Sequence, residues 1–229
     1  MAGGLGTRIS EETGTKPKPM VLIDDKPILW HVMNIYAQQG FRDFVIATGY
    51  KHEVIESWID TLEESWNVES LFTGLETQTG GRIKRCMDAH RSDRYFITYG
   101  DGLANVNLKN LLLHHLKMKC TMTVTAVRPP ARFGVLQVSD GIVSHFGEKL
   151  QTDAGWINGG FFVAESTLYE RIEGDFTLLE TGPLPELAQA GQLAAFLHEG
   201  FWQPMDTLRE RNLLSEFAKA EAPPWFSQF

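Results

Sequence analysis

The 229-residue chain carries 29 acidic against 21 basic side chains, a formal net charge of −8, with 43% hydrophobic and 22% charged residues. That balance excludes a disordered or fibrous chain, and the acidity argues against nucleic acid as main partner, because a phosphate backbone needs a basic face. No apolar run approaches the ~18 residues of a membrane helix, no leader precedes a cleavage site, and Cys86 and Cys120 are too few for a disulfide framework. The expectation is one cytoplasmic, enzyme-sized domain with neither a nucleic-acid nor a membrane partner.

In chain order, Met20–Ile23 is apolar, and Pro27–Gln39 reads as a helix with Ile28, Leu29, Val32, Ile35 and Tyr36 on one stripe. Asp43–Thr48 reads as a buried strand, and Lys51–Glu64 as a helix carrying Val54, Ile55, Trp58, Ile59 and Leu62. Arg94–Tyr99 is the next strand, Asn107–Lys119 the next helix, and Thr121–Val127 a strand again. Strands with continuous apolar runs that alternate with helices predict a mostly parallel sheet covered on both faces, an α/β fold of the doubly wound class. After Arg128 the rhythm changes. Phe133–Val138 and Ile142–Phe146 flank an Asp140-Gly141 turn and predict a hairpin. Trp156–Val163 and Leu193–His198 read as strands, and Glu165–Ile172, Leu184–Ala190 and Asp206–Lys219 as helices. Residues 1–127 and 128–229 are two halves of the one domain, with Pro129-Pro130 as the hinge between them.

Ala2-Gly3-Gly4-Leu5-Gly6-Thr7-Arg8 places three glycines in four positions, so backbone N–H groups lie uncovered and a polyanion can approach closely. Arg8 and Lys18 supply cations of the kind that stabilise phosphate charge. Neither a G-K-[ST] ending nor G-x-G-x-x-G is present, and a glycine-rich terminus on its own is more often a loose end. Tyr99-Gly100-Asp101-Gly102 follows a strand, where open α/β sheets bind ligands; an ordinary β-turn fits almost as well. Asp206, before Thr-Leu-Arg-Glu, reads equally as a helix N-cap. Two converging carboxylates would suit Mg²⁺, which takes oxygen ligands and keeps substrate phosphates and waters. Thr79-Gly80-Gly81-Arg82 is a second glycine pair with a cation, Glu148-Lys149 could reach a sugar phosphate, and Asn158-Gly159-Gly160 could mark a bulge or a hydroxyl-binding turn. His114-His115 reads as packing in a leucine-rich helix, and no Ser/His/Asp set, H-E-x-x-H or C-x-x-C is visible.

AGGLGTR, KPKPM, DKPILWH, TGGRIKR, TYGDG, PPARFG, WINGGFFV, GFWQPMDTLRER and APPW, in this order from Ala2 to Trp225, resemble the sugar-1-phosphate nucleotidylyltransferases, above all their cytidylyltransferase branch. The resemblance implies a Rossmann-like nucleotidyltransferase fold, mostly parallel with a small β-rich sugar-binding part, and a homo-oligomer. It also implies a reaction in which a sugar 1-phosphate, here glucose 1-phosphate, attacks the α-phosphorus of CTP and releases pyrophosphate. By the same likeness Ala2, Gly3, Gly4, Leu5, Gly6, Thr7 and Arg8 would cradle the triphosphate, with Arg8 on the leaving pyrophosphate and Lys18 on the α-phosphate. Thr77, Gly81, Arg82 and Gly100 would complete the nucleotide site. Glu148, Lys149, Asn158 and Gly159 would face the sugar phosphate, and Asp101 and Asp206 would hold Mg²⁺.

The chain departs from the pattern in four places. Family members open with an apolar strand feeding the glycine loop, whereas Met1 stands where that strand would end, which predicts a sheet without its first strand and an untethered loop. The usual Glu-Lys-Pro is Glu148-Lys149-Leu150, the acidic residue expected near Pro183 is Gly182, and the segment between Trp58 and Thr79 is short. Two further readings therefore stay open: a same-fold transferase using another nucleotide or sugar phosphate, and a nucleotide-binding or regulatory protein without turnover.

Overall fold

The computed structural model describes residues 1–4, 9–129, 134–139, 142–148 and 155–226. A short helix α1 (Ser10–Thr13) and the pair β1 (Leu22–Ile23) and β2 (Lys26–Pro27) precede α2 (Ile28–Ala37), β3 (Asp43–Thr48), α3 (His52–Ile59), β4 (Asn67–Phe72), α4 (Thr79–Ala89) and β5 (Arg94–Ile97). Then follow β6 (Gly102–Ala104), α5 (Leu108–Met118), β7 (Met122–Val127), β8 (Gly134–Ser139) and β9 (Ile142–Glu148). The chain continues with β10 (Ile157–Glu165), α6 (Pro183–Gln189), β11 (Leu193–His198), β12 (Trp202–Pro204) and α7 (Leu208–Ala218).

The fold is α/β with mixed sheets. Four strands run in the order β11-β7-β10-β5, with β11 parallel to β7 and β10 antiparallel to both of its neighbours. β3 and β4 form a separate parallel pair, β6 and β12 an antiparallel one, and β8 and β9 the expected hairpin. Glu165–Ile172, expected as a helix, is a short 3-10 turn over Ser166–Arg171. No helix of the described residues is long and apolar enough to cross a membrane.

Helix α2 shows why the sheet is built in pieces around it. Ile28, Val32, Ile35 and Tyr36 pack with Leu103, Phe161 and Val163, whereas Leu29 and Met33 on its other side pack with Ala2, Ile46 and Ile55. A helix apolar on both sides belongs over a sheet rather than at its rim.

β3 pairs with β4 on one edge, and β5 with β10 on one edge. Between their other edges lies a cavity of about 490 Å³, lined by Leu29 and Met33 from α2, Ile83 and Met87 from α4, and Ile46 and Ile97 from the strands. Met1 also lines it. The Met1 ammonium donates to the Thr98 carbonyl at 2.8 Å, and the Ala2 N–H to the Ala47 carbonyl at 2.9 Å, with Ala2 bridging Thr48 in parallel. The start of the glycine loop is therefore anchored, contrary to the untethered loop expected from the sequence. Burial disfavours the charged ammonium of Met1 and lowers its pKa, an effect that Cys86 and Asp101 only partly offset.

Candidate active site

Lys18 begins a 3-10 turn, Lys18–Met20, entered through the extended Pro17. Proline at the start of such a turn has its φ set in advance, so the sequence Pro17-Lys18-Pro19 aims the lysine with little freedom. Its ammonium lies 2.6 Å from an Asp101 carboxylate oxygen and 2.8 Å from one of Asp206. Three groups from sequence positions 83 and 188 residues apart thus meet at one nitrogen. Burial works against the Lys18 ammonium, but Asp101 and then Asp206 outweigh it and hold its pKa above the ordinary lysine value. With a raised folded pKa, the stabilisation from Lys18 is complete below the unfolded value near ~10.4 and is lost only as pH climbs through the folded one.

Each carboxylate is released from a local task that the sequence alone would have given it. Asp206 reads as a helix cap, but the cap of α7 is Thr207, whose side chain accepts from the Glu210 N–H while Glu210 reaches back in a capping box. The Asp206 N–H donates to the Glu210 carboxylate at 2.7 Å, which fixes its backbone and leaves its own carboxylate facing Lys18. Asp101 follows β5, and its carbonyl accepts from the Met205 N–H at 2.8 Å, so the two acidic loops are tied backbone to backbone. Among the described residues no group of three or more His, Cys, Asp and Glu could hold a metal. The donor set is two carboxylates, oxygen only, brought together by one cation, which suits a hard divalent ion that draws its other ligands from substrate and water.

These groups line a cleft of about 620 Å³ with Ala2, Gly3, Gly4, Thr77 and Arg82. Gly100 and Tyr99 line it too. Arg82, in the first turns of α4, is buried and its guanidinium is spent on the protein. It donates to the carbonyls of Thr48 at 2.9 Å, Gly74 at 2.9 Å and Gly3 at 3.1 Å, and to the Thr73 hydroxyl at 2.6 Å. Burial, with Arg85 nearby, lowers its pKa. The resemblance implies a place for Arg82 in the nucleotide site; in the structure its guanidinium clamps the backbone at Gly3, at the edge of that cleft. A Cβ on Gly3 would sit 2.2 Å from that guanidinium, so the glycine is needed for the close approach. Arg82→Lys, which keeps the charge but loses the planar fork, strands several carbonyls. It is expected to cost about 2 kcal/mol, or roughly 4–8 °C in Tm by thermal unfolding.

Gly81 lies away from the cleft, where a Cβ would meet the Asp175 carbonyl oxygen at 2.5 Å; it lets α4 pack against that loop. Asn158 and Gly159 open a bulge in β10, where pairing with β7 shifts register and Gly160 and Phe161 have φ of 74° and 48°. Asn158 donates to the Tyr99 hydroxyl at 3.3 Å, and the Gly159 carbonyl accepts from Trp202 Nε1 at 2.9 Å. Leu5, Gly6, Thr7, Arg8 and Lys149 lie outside the described residues, as does the side chain of Glu148 at the end of β9. Sequence reasoning missed Glu180, and took Thr79 only as the residue before a glycine pair. Glu180 accepts from Tyr99 Oη and Thr79 Oγ1, both at 2.7 Å, and stands two residues before the Gly182 where an acid was expected.

A family model described as nucleotidyl transferase matches residues 1–207. The chain is 43% identical to a glucose-1-phosphate cytidylyltransferase of Salmonella typhi, over 98% of this chain and 96% of that one. It is 31% identical to a D-glycero-alpha-D-manno-heptose 1-phosphate guanylyltransferase of Aneurinibacillus thermoaerophilus, over 74% and 75%. Among solved structures, HddC from Yersinia pseudotuberculosis complexed with GMP-PN superposes with a TM-score of 0.77 at 25% identity, covering 95% of this chain and 97% of that one. A match that runs the length of the relatives takes in Lys18, Asp101 and Asp206 together, and with it the chain belongs to the nucleotidyl transferase family, among the sugar-1-phosphate nucleotidylyltransferases.

Proposed function

We propose that the protein transfers the cytidylyl group of CTP to glucose 1-phosphate, giving CDP-glucose and pyrophosphate. The observation that carries this reading is the convergence of Lys18, Asp101 and Asp206 in a cleft that Ala2, Gly3 and Gly4 also line, in a chain 43% identical to a glucose-1-phosphate cytidylyltransferase. The attacking phosphate oxygen is already anionic, so the reaction needs neither a general base nor a covalent nucleophile. A P–O bond forms to the α-phosphorus, the bond from that phosphorus to the bridging oxygen breaks, and pyrophosphate leaves with the electron pair. Catalysis then consists of placing two polyanions in line and neutralising their charge.

Asp101 and Asp206 would hold Mg²⁺, which when bound shields phosphate charge and orients the triphosphate. Lys18, fully protonated at neutral pH, supplies a fixed positive charge for the α-phosphate. Backbone N–H groups of the Ala2–Arg8 loop cradle the triphosphate, with Arg8 on the departing pyrophosphate and Thr77 at the nucleoside. Arg82 fixes the Gly3 carbonyl at the start of that loop. Asn158 and Gly159 face the sugar phosphate, with Glu148 and Lys149 of the hairpin. Pyrophosphate release measured with four nucleoside triphosphates and several sugar 1-phosphates tests this. Release confined to CTP with glucose 1-phosphate is expected; release with another pair reassigns the substrates, and nucleotide binding without release would leave a regulatory protein.

A further inference from the structure

The hydrogen bonds around Asn158 have a direction that can be read without ambiguity. Its Oδ1 lies 2.9 Å from the Gly160 N–H, which can only donate, so that atom is the amide oxygen. The other amide atom, Nδ2, then donates to Tyr99 Oη. The single phenolic proton of Tyr99 goes on to Glu180 Oε1 at 2.7 Å. Glu180 Oε2 accepts from Thr79 Oγ1, which itself accepts from the Leu179 N–H at 2.9 Å. The chain starts and ends at a backbone N–H, with a carboxylate inside it, and no member can reverse without leaving a donor facing a donor.

We propose that Glu180 and Tyr99 are positioning residues that fix Asn158 as a hydrogen-bond donor toward an acceptor oxygen of the sugar 1-phosphate. The inference rests on the reading of Asn158 as a sugar-phosphate contact given above. Asn158 has two Nδ2 protons, of which one is committed to Tyr99, while its oxygen is turned to the Gly160 N–H. The second Nδ2 proton is left to meet an acceptor oxygen.

The test is a comparison of KM values for the two substrates, run with the nucleotide and sugar phosphate that the wild type turns over best. Tyr99→Phe removes the relay without changing its shape, and Glu180→Gln keeps the size while allowing either polarity. Each is expected to raise KM for the sugar 1-phosphate about 5–20-fold, with KM for the nucleotide and kcat within twofold of wild type. The double variant should cost no more than either single one, since both act through one chain of bonds. Asn158→Asp, which presents an acceptor in place of the donor, is expected to cost at least 30-fold in the same KM. Equal changes in both KM values, additive losses in the double variant, or an unmoved sugar-phosphate KM would overturn the proposal. Choosing another substrate pair would overturn only the substrate assignment. If the wild type has no turnover, glucose 1-phosphate binding to the nucleotide-loaded protein is measured by calorimetry: a loss of affinity in the two variants supports the relay, and no binding or equal binding refutes it.

Discussion

Asp101→Asn is expected to lower kcat by about a thousandfold while the protein stays folded, because the substitution removes a charge placed for the transition state and little else. Asn fills the same space, and the contact that ties this loop to the next, the Met205 N–H on the Asp101 carbonyl, is made by backbone and survives. Lys18 keeps Asp206 at 2.8 Å, so its ammonium is not stranded. The loss should therefore fall on chemistry and on metal affinity: the Mg²⁺ concentration for half-maximal rate is expected to rise at least tenfold, while Tm moves by less than ~5 °C. Steady-state kinetics with a Mg²⁺ titration beside a thermal melt checks both. Normal turnover with ordinary Mg²⁺ dependence would show that Asp101 is no metal ligand.

The second large effect concerns the cavity between β3 and β5. Joining six alternating valine and isoleucine residues to the nitrogen of Met1 is expected to raise Tm by about 5–10 °C. The parallel bridge of Ala2 to Thr48 sets the direction in which such a segment would run, and helices α2 and α4 cover both of its faces. Burying an aliphatic side chain gains about 1.5–3 kcal/mol, and ordering each residue costs about 1–2 kcal/mol of backbone entropy. The difference alone is near zero to slightly favourable. Two new ladders of hydrogen bonds, at roughly 0.5–1.5 kcal/mol a bond, tip it. Converting the buried Met1 ammonium into a neutral peptide N–H removes a desolvation penalty as well. A net gain of a few kcal/mol corresponds to the stated shift for a chain of this size. An extension of equal length interrupted by two prolines, which cannot donate to the ladder, is expected to give no gain. Amide exchange should slow at Phe44–Ile46 and Phe96–Ile97 in the first variant only; equal melting of the two would show that the cavity accepts no strand.

Much of this fold is legible in the sequence where one physical signal acts alone. Asp43–Thr48, Arg94–Ile97 and Met122–Val127 are continuous apolar or β-branched runs and became strands; the stripe on Ile28–Ala37 became α2. β4 was not foreseen, because Asn67–Phe72 is half exposed at the rim and alternates too weakly to stand out. α4 was hidden by its own packing. Gly80 and Gly81 look like a loop, yet Cβ atoms there would lie 2.8 Å and 2.5 Å from the Thr177 and Asp175 carbonyl oxygens, so a helix that must approach a loop so closely has to begin with glycines. The site divides in the same way. Lys18, Asp101 and Asp206 stand in distinctive local sequence, and the structure joins them. Arg82 was recognisable as a cation beside glycines, but whether it faces substrate or carbonyls depends on the fold of residues 73–75, which no local pattern encodes. Glu180 acquires its place only through Tyr99 and Thr79, each about eighty or more residues away in the chain.

The capping box at Thr207 has a consequence for how the enzyme fails under heat. First turns of helices fray at temperatures where the core is intact. When the Thr207–Glu210 lock opens, the Asp206 N–H loses the Glu210 carboxylate, and the backbone that aims the Asp206 side chain toward Lys18 is held less firmly. Inactivation should thus set in as a reversible dimming below the melting transition, governed by the last eleven-residue helix rather than by the stability of the sheet.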